Sequence, residues 1–214
     1  FFIIFIFICY LLGSTPTSII TGRIIKGVDI RDHGSGNAGG TNVFRILGWK
    51  PGLFVIIIDI LKGWIPVAIL APKFYLFGPI SDLGVVQIIS GFAAVLGHTY
   101  TIFAKFKGGK GVGTLGGMII ALFPTVFPFC LLIAIITLIM TGYVSLASII
   151  ASCSLPILLL VIPPFLNVYP APLSIMIFSL LIPWFIIYTH RSNIQRIRNG
   201  DENQFKKAMI FRKD

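Results

Sequence analysis

The chain has 214 residues, of which 56% are hydrophobic and only 11% are charged, and its formal net charge is +10. Soluble proteins carry about 25% charged residues, so this composition excludes an ordinary soluble globule. Each helix that crosses a ~30 Å hydrocarbon core needs about 20 residues, so five to seven spans use most of the chain. We therefore predict one all-α integral membrane domain over residues 1–214.

Apolar runs along the chain predict the membrane helices. Clear runs lie at about residues 2–25, 52–71, 84–104, 143–162 and 171–189. The first run lacks a basic start and a small-residue cleavage pattern, so we interpret it as a span and not as a signal peptide. The run at 112–141 is ambiguous, because Pro124 or Pro128 would break it into two short helices.

The basic residues predict the topology. Fifteen of the 17 fall at 23–50, 105–110 and 191–213, and such groups collect in cytoplasmic loops. If all three groups face the cytoplasm, the chain crosses the membrane an even number of times between the second and third. Two short helices in 112–141 then give seven spans, with the N-terminus outside and a basic cytoplasmic tail at 190–214. Five spans would keep the same orientation.

The second span contains a charged pair, Asp59 and Lys62. Charges at membrane depth are rare, and they are usually paired or functional. We predict an ion pair within one helix that supports a loop, and a site for a coupling ion is the alternative.

The first polar loop, GSGNAGGTNVFR at 34–45, is rich in glycine. It contains a G-x-G-x-x-G pattern that follows no strand, which excludes a dinucleotide-binding fold. Glycines still let backbone N–H groups approach an anion, and Arg45 offers a two-pronged donor to phosphate. The loop is therefore a candidate phosphate site, with a flexible turn as the alternative. Its other candidate residues are Ser35, Gly36, Asn37, Gly39, Thr41 and Asn42.

The second polar loop, GHTYTIFAKFKGGKGVGT at 97–114, places Lys110 after Gly108 and Gly109. Gly111 stands where a nucleotide-binding Walker loop needs Ser or Thr, so nucleotide hydrolysis is disfavoured. Adjacent glycines beside a lysine suit an anion-binding nest of backbone N–H groups. His98 could be a general base or a hydrogen-bonding orienter, or a histidine satisfied by backbone. No acidic residue is within two positions of it, so no Ser-His-Asp relay is evident.

The third polar segment, HRSNIQRIRNGDE at 190–202, follows the last span. His190, Asn193 and Arg196 recur at helical spacing and could share one helix face. A basic anchor for anionic lipid is the other interpretation, and it suits residues 206–213 better.

Together these segments resemble the acyl-phosphate:glycerol-3-phosphate acyltransferase family, bacterial membrane enzymes of the PlsY type. The resemblance runs from YLLGSTPTS at 10–18 to Glu202, includes DILKG at 59–63, and has the three polar motifs in order. This chain departs from the family at Thr101, where Pro is usual, at Ala38, often Pro or Ile, and at Gly40, often Ala.

The resemblance implies transfer of an acyl chain from acyl phosphate to glycerol 3-phosphate. The products are 1-acyl-glycerol 3-phosphate, a lysophosphatidic acid, and inorganic phosphate, in the first acylation of bacterial phospholipid synthesis. It implies a site on the cytoplasmic face of the inner membrane, no cofactor, no metal and no nucleic acid partner. The expected partners are the two substrates and the bilayer, with anionic lipid at the basic tail. The oligomeric state is left open.

The resemblance also suggests roles for the candidate residues. Lys110, Arg45, Gly108, Gly109 and Gly111 would bind phosphate, beside a pocket shaped by Ser35, Asn37, Thr41 and Asn42. His190, Asn193, Arg196 and Glu202 would close the site from the tail. His98 is the candidate base, in competition with a phosphate oxygen of the substrate, and Ser35 is a possible nucleophile. A transporter of organic phosphate is the alternative, but the motifs are dissimilar and lie at span ends, which favours an enzyme.

Overall fold

A computed structural model describes residues 1–168, 171–205 and 209 of the chain. Within these residues all regular structure is helical, as the sequence predicts. The chain forms two compact units, the first at Phe1–Leu122 and the second at Phe123–Asp214.

The first unit begins with a broken span. Helix α1 ends at Ser14 and helix α2 begins at Thr17, because Pro16 has no N–H to continue the first helix. The helices of this unit are α1 (Phe2–Ser14), α2 (Thr17–Lys26), α3 (Gly40–Leu47), α4 (Trp49–Ile65), α5 (Ala71–Tyr75), α6 (Leu83–Thr99) and α7 (Val112–Leu122). A π-helical segment, Pro66–Leu70, joins α4 to α5.

Glycines allow the helices of the first unit to pack closely. Gly13 on α1 lies against the backbone of Ala94 on α6, and Gly97 on α6 lies against Tyr10 on α1. A Cβ atom at either position would clash with a backbone carbonyl group. Small residues serve this purpose in membrane proteins, where close packing drives helix association. This packing places the end of α6, which carries His98, beside the break between α1 and α2.

The second unit contains helices α8 (Phe127–Thr141), α9 (Val144–Phe165), α10 (Leu173–Thr189) and α11 (Arg191–Asn199). Helix α10 ends at the polar segment, and α11 continues from it after a bend of 58°. Helix α11 is the element that carries Asn193 and Arg196.

Four helical segments in the described residues are long and apolar enough to cross a membrane. They are Phe2–Lys26, Trp49–Tyr75, Leu83–Ala104 and Val144–Phe165, and the bent pair of α10 and α11 would be a fifth. The ambiguous run forms two shorter apolar helices, α7 and α8, and of the two proline positions considered, Pro124 lies in the break and Pro128 lies in the first turn of α8. The chain is thus an all-helical, multi-pass protein.

Candidate active site

A small polar cleft in the first unit collects the chemically active side chains. Its walls contain His98 and two glycines of the second polar loop, together with Asp59 and Lys62 of α4. The break between α1 and α2 and Thr101 complete it, and its cavity volume is about 10 Å³, about the space of a single water molecule. Three buried ionisable groups therefore meet where a polar loop covers the end of a span.

The predicted ion pair of α4 is present in this cleft. The Lys62 ammonium lies 2.6 Å from the Asp59 carboxylate, and both side chains are almost completely buried. Lys62 also donates to the carbonyl oxygen of Thr15, at 2.7 Å. The break at Pro16 removes the helical partner of carbonyl groups nearby, so the lysine stabilises this break. This confirms the prediction of an ion pair that supports a loop.

His98 has an acidic neighbour that the sequence does not reveal. Its Nδ1 atom lies 3.6 Å from Oδ1 of Asp59, an ion-pair distance slightly longer than an ordinary hydrogen bond. The two residues are distant in the chain and lie on different helices, so a search near His98 in sequence misses the contact. The feature of the sequence that could have indicated the contact is the Asp59 carboxylate inside an apolar run. The pair places a carboxylate next to the His98 ring, and the role of His98 as a base stays a prediction.

The two glycines of the second loop contact His98 directly. The N–H group of Gly108 donates to the carbonyl of Thr99, and that of Gly109 donates to the carbonyl of His98, at 3.0 and 3.1 Å. A Cβ on Gly109 would clash with the His98 ring. In this conformation the two N–H groups are therefore occupied and do not form a phosphate nest, and phosphate binding by this loop stays a prediction. The glycines instead allow the loop to lie on the histidine.

Asn42 organises the first loop from within. Its side chain is 1% exposed, and its amide donates to the carbonyls of Ile30 and His33, both at 2.9 Å. Its oxygen accepts from the N–H of Ser35. Both amide hydrogens are used, so this conformation does not support the phosphate contact predicted for Asn42. Asn42 shapes the turn that presents Ser35.

Arg31 links the two loops, and the sequence analysis missed it. Its guanidinium binds both oxygens of Asp29, at 3.0 and 2.7 Å. Its remaining amino group donates to the carbonyls of Ala104 and Lys107, at 3.1 and 3.2 Å. These carbonyls flank Lys105 and Phe106, which both have the left-handed backbone conformation that is uncommon for such residues.

The Asp29 carboxylate keeps this arginine in place. Hydrogen bonds from Arg31 are the main cause that lowers the pKa of Asp29 to about 2. The carboxylate is therefore ionised at neutral pH, and the arginine is fixed at both ends. The sequence gives no indication of this contact, because Arg31 is only one charged residue in a short polar segment.

The other predicted residues of the first unit lie around these loops. Thr41 and Arg45 are on α3, and Lys110 directly precedes the Gly111 residue from which α7 starts. All three are partly exposed. Ser35, Asn37 and Gly39 are also partly exposed, whereas Gly36 is exposed. Their binding roles stay predictions.

Thr101, where the resemblance leads us to expect Pro, has a structural role of its own. Its hydroxyl donates to the carbonyl of Ser14, at the end of α1. The hydroxyl therefore fixes the start of the second loop to the helix break, a contact that a Pro side chain cannot make.

In the second unit, Glu202 gathers the polar residues of the tail. It accepts hydrogen bonds from Asn193, Arg196 and Ser145, at 2.6, 2.8 and 2.8 Å. Burial raises the pKa of Glu202, but these three donors outweigh it, and the net result is a pKa below the ordinary range. An ionised carboxylate repels phosphate but accepts hydrogen bonds from hydroxyl groups, so the substrate-binding role predicted for Glu202 stays a prediction. In this conformation Glu202 positions Asn193 and Arg196.

His190 is buried at the junction of α10 and α11. Its Nδ1 atom lies 2.8 Å from the carbonyl oxygen of Ile186. A carbonyl only accepts, so Nδ1 carries the hydrogen, and this fixes the orientation of the ring. The basic residues Lys206, Lys207, Arg212 and Lys213, predicted to contact anionic lipid, lie outside the described residues.

Comparison with known proteins decides the family. The model of the family described as glycerol-3-phosphate acyltransferase matches residues 3–200. The chain belongs to the glycerol-3-phosphate acyltransferase family. The match includes both units and nearly all of the three polar motifs, as the resemblance in sequence leads us to expect.

Relatives and solved structures agree with this assignment. Glycerol-3-phosphate acyltransferases of Chlorobium phaeobacteroides (strain BS1) and Chlorobaculum parvum are 40% and 42% identical, over 95% of this chain and 96% of each relative. The chain is also similar to crystal structures of PlsY (YgiH), an integral membrane glycerol 3-phosphate acyltransferase. Its lysophosphatidic acid and glycerol 3-phosphate forms align with TM-scores of 0.79 and 0.78, each at 39% identity and over 95% of both chains.

Proposed function

We propose that this glycerol-3-phosphate acyltransferase uses acyl phosphate as its acyl donor. The acceptor is glycerol 3-phosphate, and the products are 1-acyl-glycerol 3-phosphate and inorganic phosphate. The similarity to a PlsY structure in a glycerol 3-phosphate form carries the acceptor assignment. Two cationic, glycine-rich loops support a donor that also bears phosphate.

The reaction exchanges one C–O bond for another. The glycerol 1-hydroxyl oxygen bonds to the acyl carbonyl carbon, and the bond from that carbon to the phosphate oxygen breaks. Phosphate leaves with the electron pair, and the hydroxyl proton must reach a base. Because phosphate is a good leaving group, positioning and charge neutralisation are the main tasks of the protein.

We propose that His98 accepts the proton of the glycerol hydroxyl group and that Asp59 orients the His98 ring. The cleft places this pair beside the second loop, where a phosphorylated substrate would bind. A phosphate oxygen of the substrate is the competing acceptor. We favour direct transfer of the acyl group to glycerol 3-phosphate over a covalent route through Ser35, because a reactive anhydride needs no acyl-enzyme intermediate.

Lys110 and Arg45 are the proposed phosphate ligands of the first unit. Gly36, Asn37, Gly39 and Thr41 of the first loop and Gly111 of the second loop are proposed to complete the phosphate contacts. In the second unit we propose His190, Asn193 and Arg196 as substrate-binding residues.

A transfer assay with defined donors tests the function. Purified protein in lipid nanodiscs receives glycerol 3-phosphate with palmitoyl phosphate, or with palmitoyl-CoA as the control donor. We expect lysophosphatidic acid and phosphate in equal amounts from acyl phosphate only. Transfer from palmitoyl-CoA alone would refute acyl phosphate as the donor. If the protein is folded and both substrates stay intact, a transporter of organic phosphate is the better hypothesis.

Replacing Lys110 tests the phosphate site itself. We expect Lys110→Ala to lower kcat/KM by about 10- to 100-fold, the value of a hydrogen bond to a charged group. Lys105→Ala, which removes an exposed lysine from the same loop, is the matched control and should retain activity. Equal kinetics of the two variants would contradict the assignment of Lys110.

We also propose seven spans in the bacterial cytoplasmic membrane, with the site and C-terminus in the cytoplasm. The short helices α7 and α8 supply the two crossings that this orientation needs. Cysteines at Ser81 and Asp201, in a chain with its three native cysteines replaced by Ser, test this with an impermeant thiol reagent in intact cells. We expect labelling of Ser81→Cys only, and labelling of both variants would refute the orientation.

We further propose that the basic residues at 206–213 contact anionic lipid. The support is the basic charge that the sequence carries soon after the last span, because each basic residue at a membrane surface contributes about 1 kcal/mol of attraction. Deleting residues 206–214 should weaken binding of anionic nanodisc lipid and leave acyl transfer intact.

A further inference from the structure

Helix α11 has two different polar faces. Asn193 and Arg196 point to Glu202, whereas Arg191, Gln195 and Arg198 follow one another on the other side at helical spacing. Within the described residues, neither Arg191 nor Arg198 forms an ion pair with a carboxylate. This second face is not used by the proposed acyl transfer.

The second face borders an open groove at the bend between α10 and α11. The groove has a volume of about 570 Å³ and has Ile187, Tyr188 and Ile194 among its apolar residues. Its polar residues are Arg191, Gln195, Arg198 and Asn199. Two cations thus stand beside an apolar wall at the end of a membrane helix.

Arg191 is held in a defined position in this groove. Its guanidinium lies 4.6 Å from the centre of the Tyr188 ring, and it donates to the Tyr188 carbonyl at 3.0 Å. An arginine that is stacked and anchored loses less side-chain entropy when it binds an anion. Most of its five donors remain for a ligand.

The apolar side of the groove continues along α10. Ile177, Leu181, Trp184 and Tyr188 recur at helical spacing and are 55%, 59%, 72% and 53% exposed. Such a stripe suits acyl chains, and Trp and Tyr are typical of the membrane interface. An anionic head at Arg191 and Arg198 would place its chains along this stripe.

We propose that this groove, the elbow groove, binds an anionic phospholipid of the surrounding leaflet. Its phosphate lies between Arg191 and Arg198 near Gln195, and its acyl chains follow the exposed stripe of α10. Charge complementarity and the direct continuation from cations to an apolar stripe select this ligand. A zwitterionic lipid would bring its own cation towards the two arginines.

Quenching of Trp184 tests the elbow groove in the complete protein. Trp49→Phe and Trp64→Phe leave Trp184 as the sole tryptophan. The protein is placed in phosphatidylcholine nanodiscs with rising fractions of brominated phosphatidylglycerol, or of brominated phosphatidylcholine. We expect half-maximal quenching at a clearly lower fraction of the anionic lipid.

The two arginines should account for that preference. Since a basic residue at the membrane surface contributes about 1 kcal/mol, each replacement by Gln should raise the half-quenching fraction about fivefold. The matched control, Lys26→Gln with Lys50→Gln, removes two exposed charges elsewhere and should keep the preference. Unchanged quenching by brominated phosphatidylcholine shows that α10 is still in the bilayer.

Three results would overturn the proposal. The first is equal quenching by both lipids in the parent, and the second is an unchanged preference in Arg191→Gln with Arg198→Gln. The third is an equal loss of preference in the lysine control, which would indicate unspecific attraction by net charge. None of these readouts depends on acyl transfer.

Discussion

The polar loops of the first unit and the tail of the second are organised in different ways. In the loops, the decisive contacts join distant parts of the chain, such as Asp59 with His98 and Arg31 with the carbonyl of Ala104. In the tail, Glu202 binds Asn193 and Arg196 on the preceding helix. Helical spacing therefore predicts the tail well, whereas the loops depend on how helices pack.

Among the contacts between distant parts of the chain, that of His98 with Asp59 should have the largest effect on activity. If the distant contact with Asp59 prepares a base, His98→Gln should lower kcat by about 10²- to 10⁴-fold, the usual contribution of general base catalysis. Single-turnover acyl transfer measures this. A rate within a few-fold of the parent would show that a substrate phosphate oxygen accepts the proton, and that His98 only supports the loop.

Variants at Asp59 distinguish its contribution to stability from its contribution to the reaction. Asp59→Asn leaves the buried Lys62 without its counter-charge, which costs about 3–5 kcal/mol of stability. Replacing both, by Asn and Met, should recover much of that loss. Thermal unfolding in detergent measures it.

Activity should not recover together with stability in this pair of variants. In the double variant His98 still lacks its carboxylate, so we expect kcat to stay low. A stable double variant with parental kcat would reduce Asp59 to a purely structural residue.

Glu202 is the corresponding test in the tail. Glu202→Gln should cost about 1.5–3 kcal/mol of stability, because it removes charge-assisted hydrogen bonds. The pKa of Glu202 is lowered in the folded protein, so its contribution is complete above the ordinary value of 4.5 and is lost as the pH falls below it.

The pH profile of unfolding distinguishes this carboxylate from others. Between pH 7 and 3, stability should fall less steeply in Glu202→Gln than in the parent. Parallel profiles would mean that Glu202 does not bear its charge in the way the three donors indicate.

Arg31 should have the smallest effect, because it acts on the loop and not on the substrate. Arg31→Lys keeps the charge but cannot bind Asp29 and two carbonyls together, so we expect KM to rise about tenfold with a nearly constant kcat. Arg23→Lys, at an exposed arginine near the same carboxylate, is the control. A fall in kcat alone would contradict a positioning role.

Sequence determined the class of protein and the location of its polar segments. Composition required a membrane protein, because so few charges cannot cover a soluble surface, and Pro124 and Pro128 predicted a break between two short helices in residues 112–141. The motif order also predicted the family. These properties depend on composition and local spacing, which are present in the chain before it folds.

Tertiary structure decided which partners the polar residues of the motifs have within the protein. Asn42 and Gly109 stand in the motifs as candidate ligands, yet their donors are occupied by backbone carbonyls. Asp59 and Arg31 lie outside the predicted site and yet contact it. Sequence identifies a donor, but its partner depends on which helices pack together, because a hydrogen bond or ion pair needs the two atoms within a few ångströms.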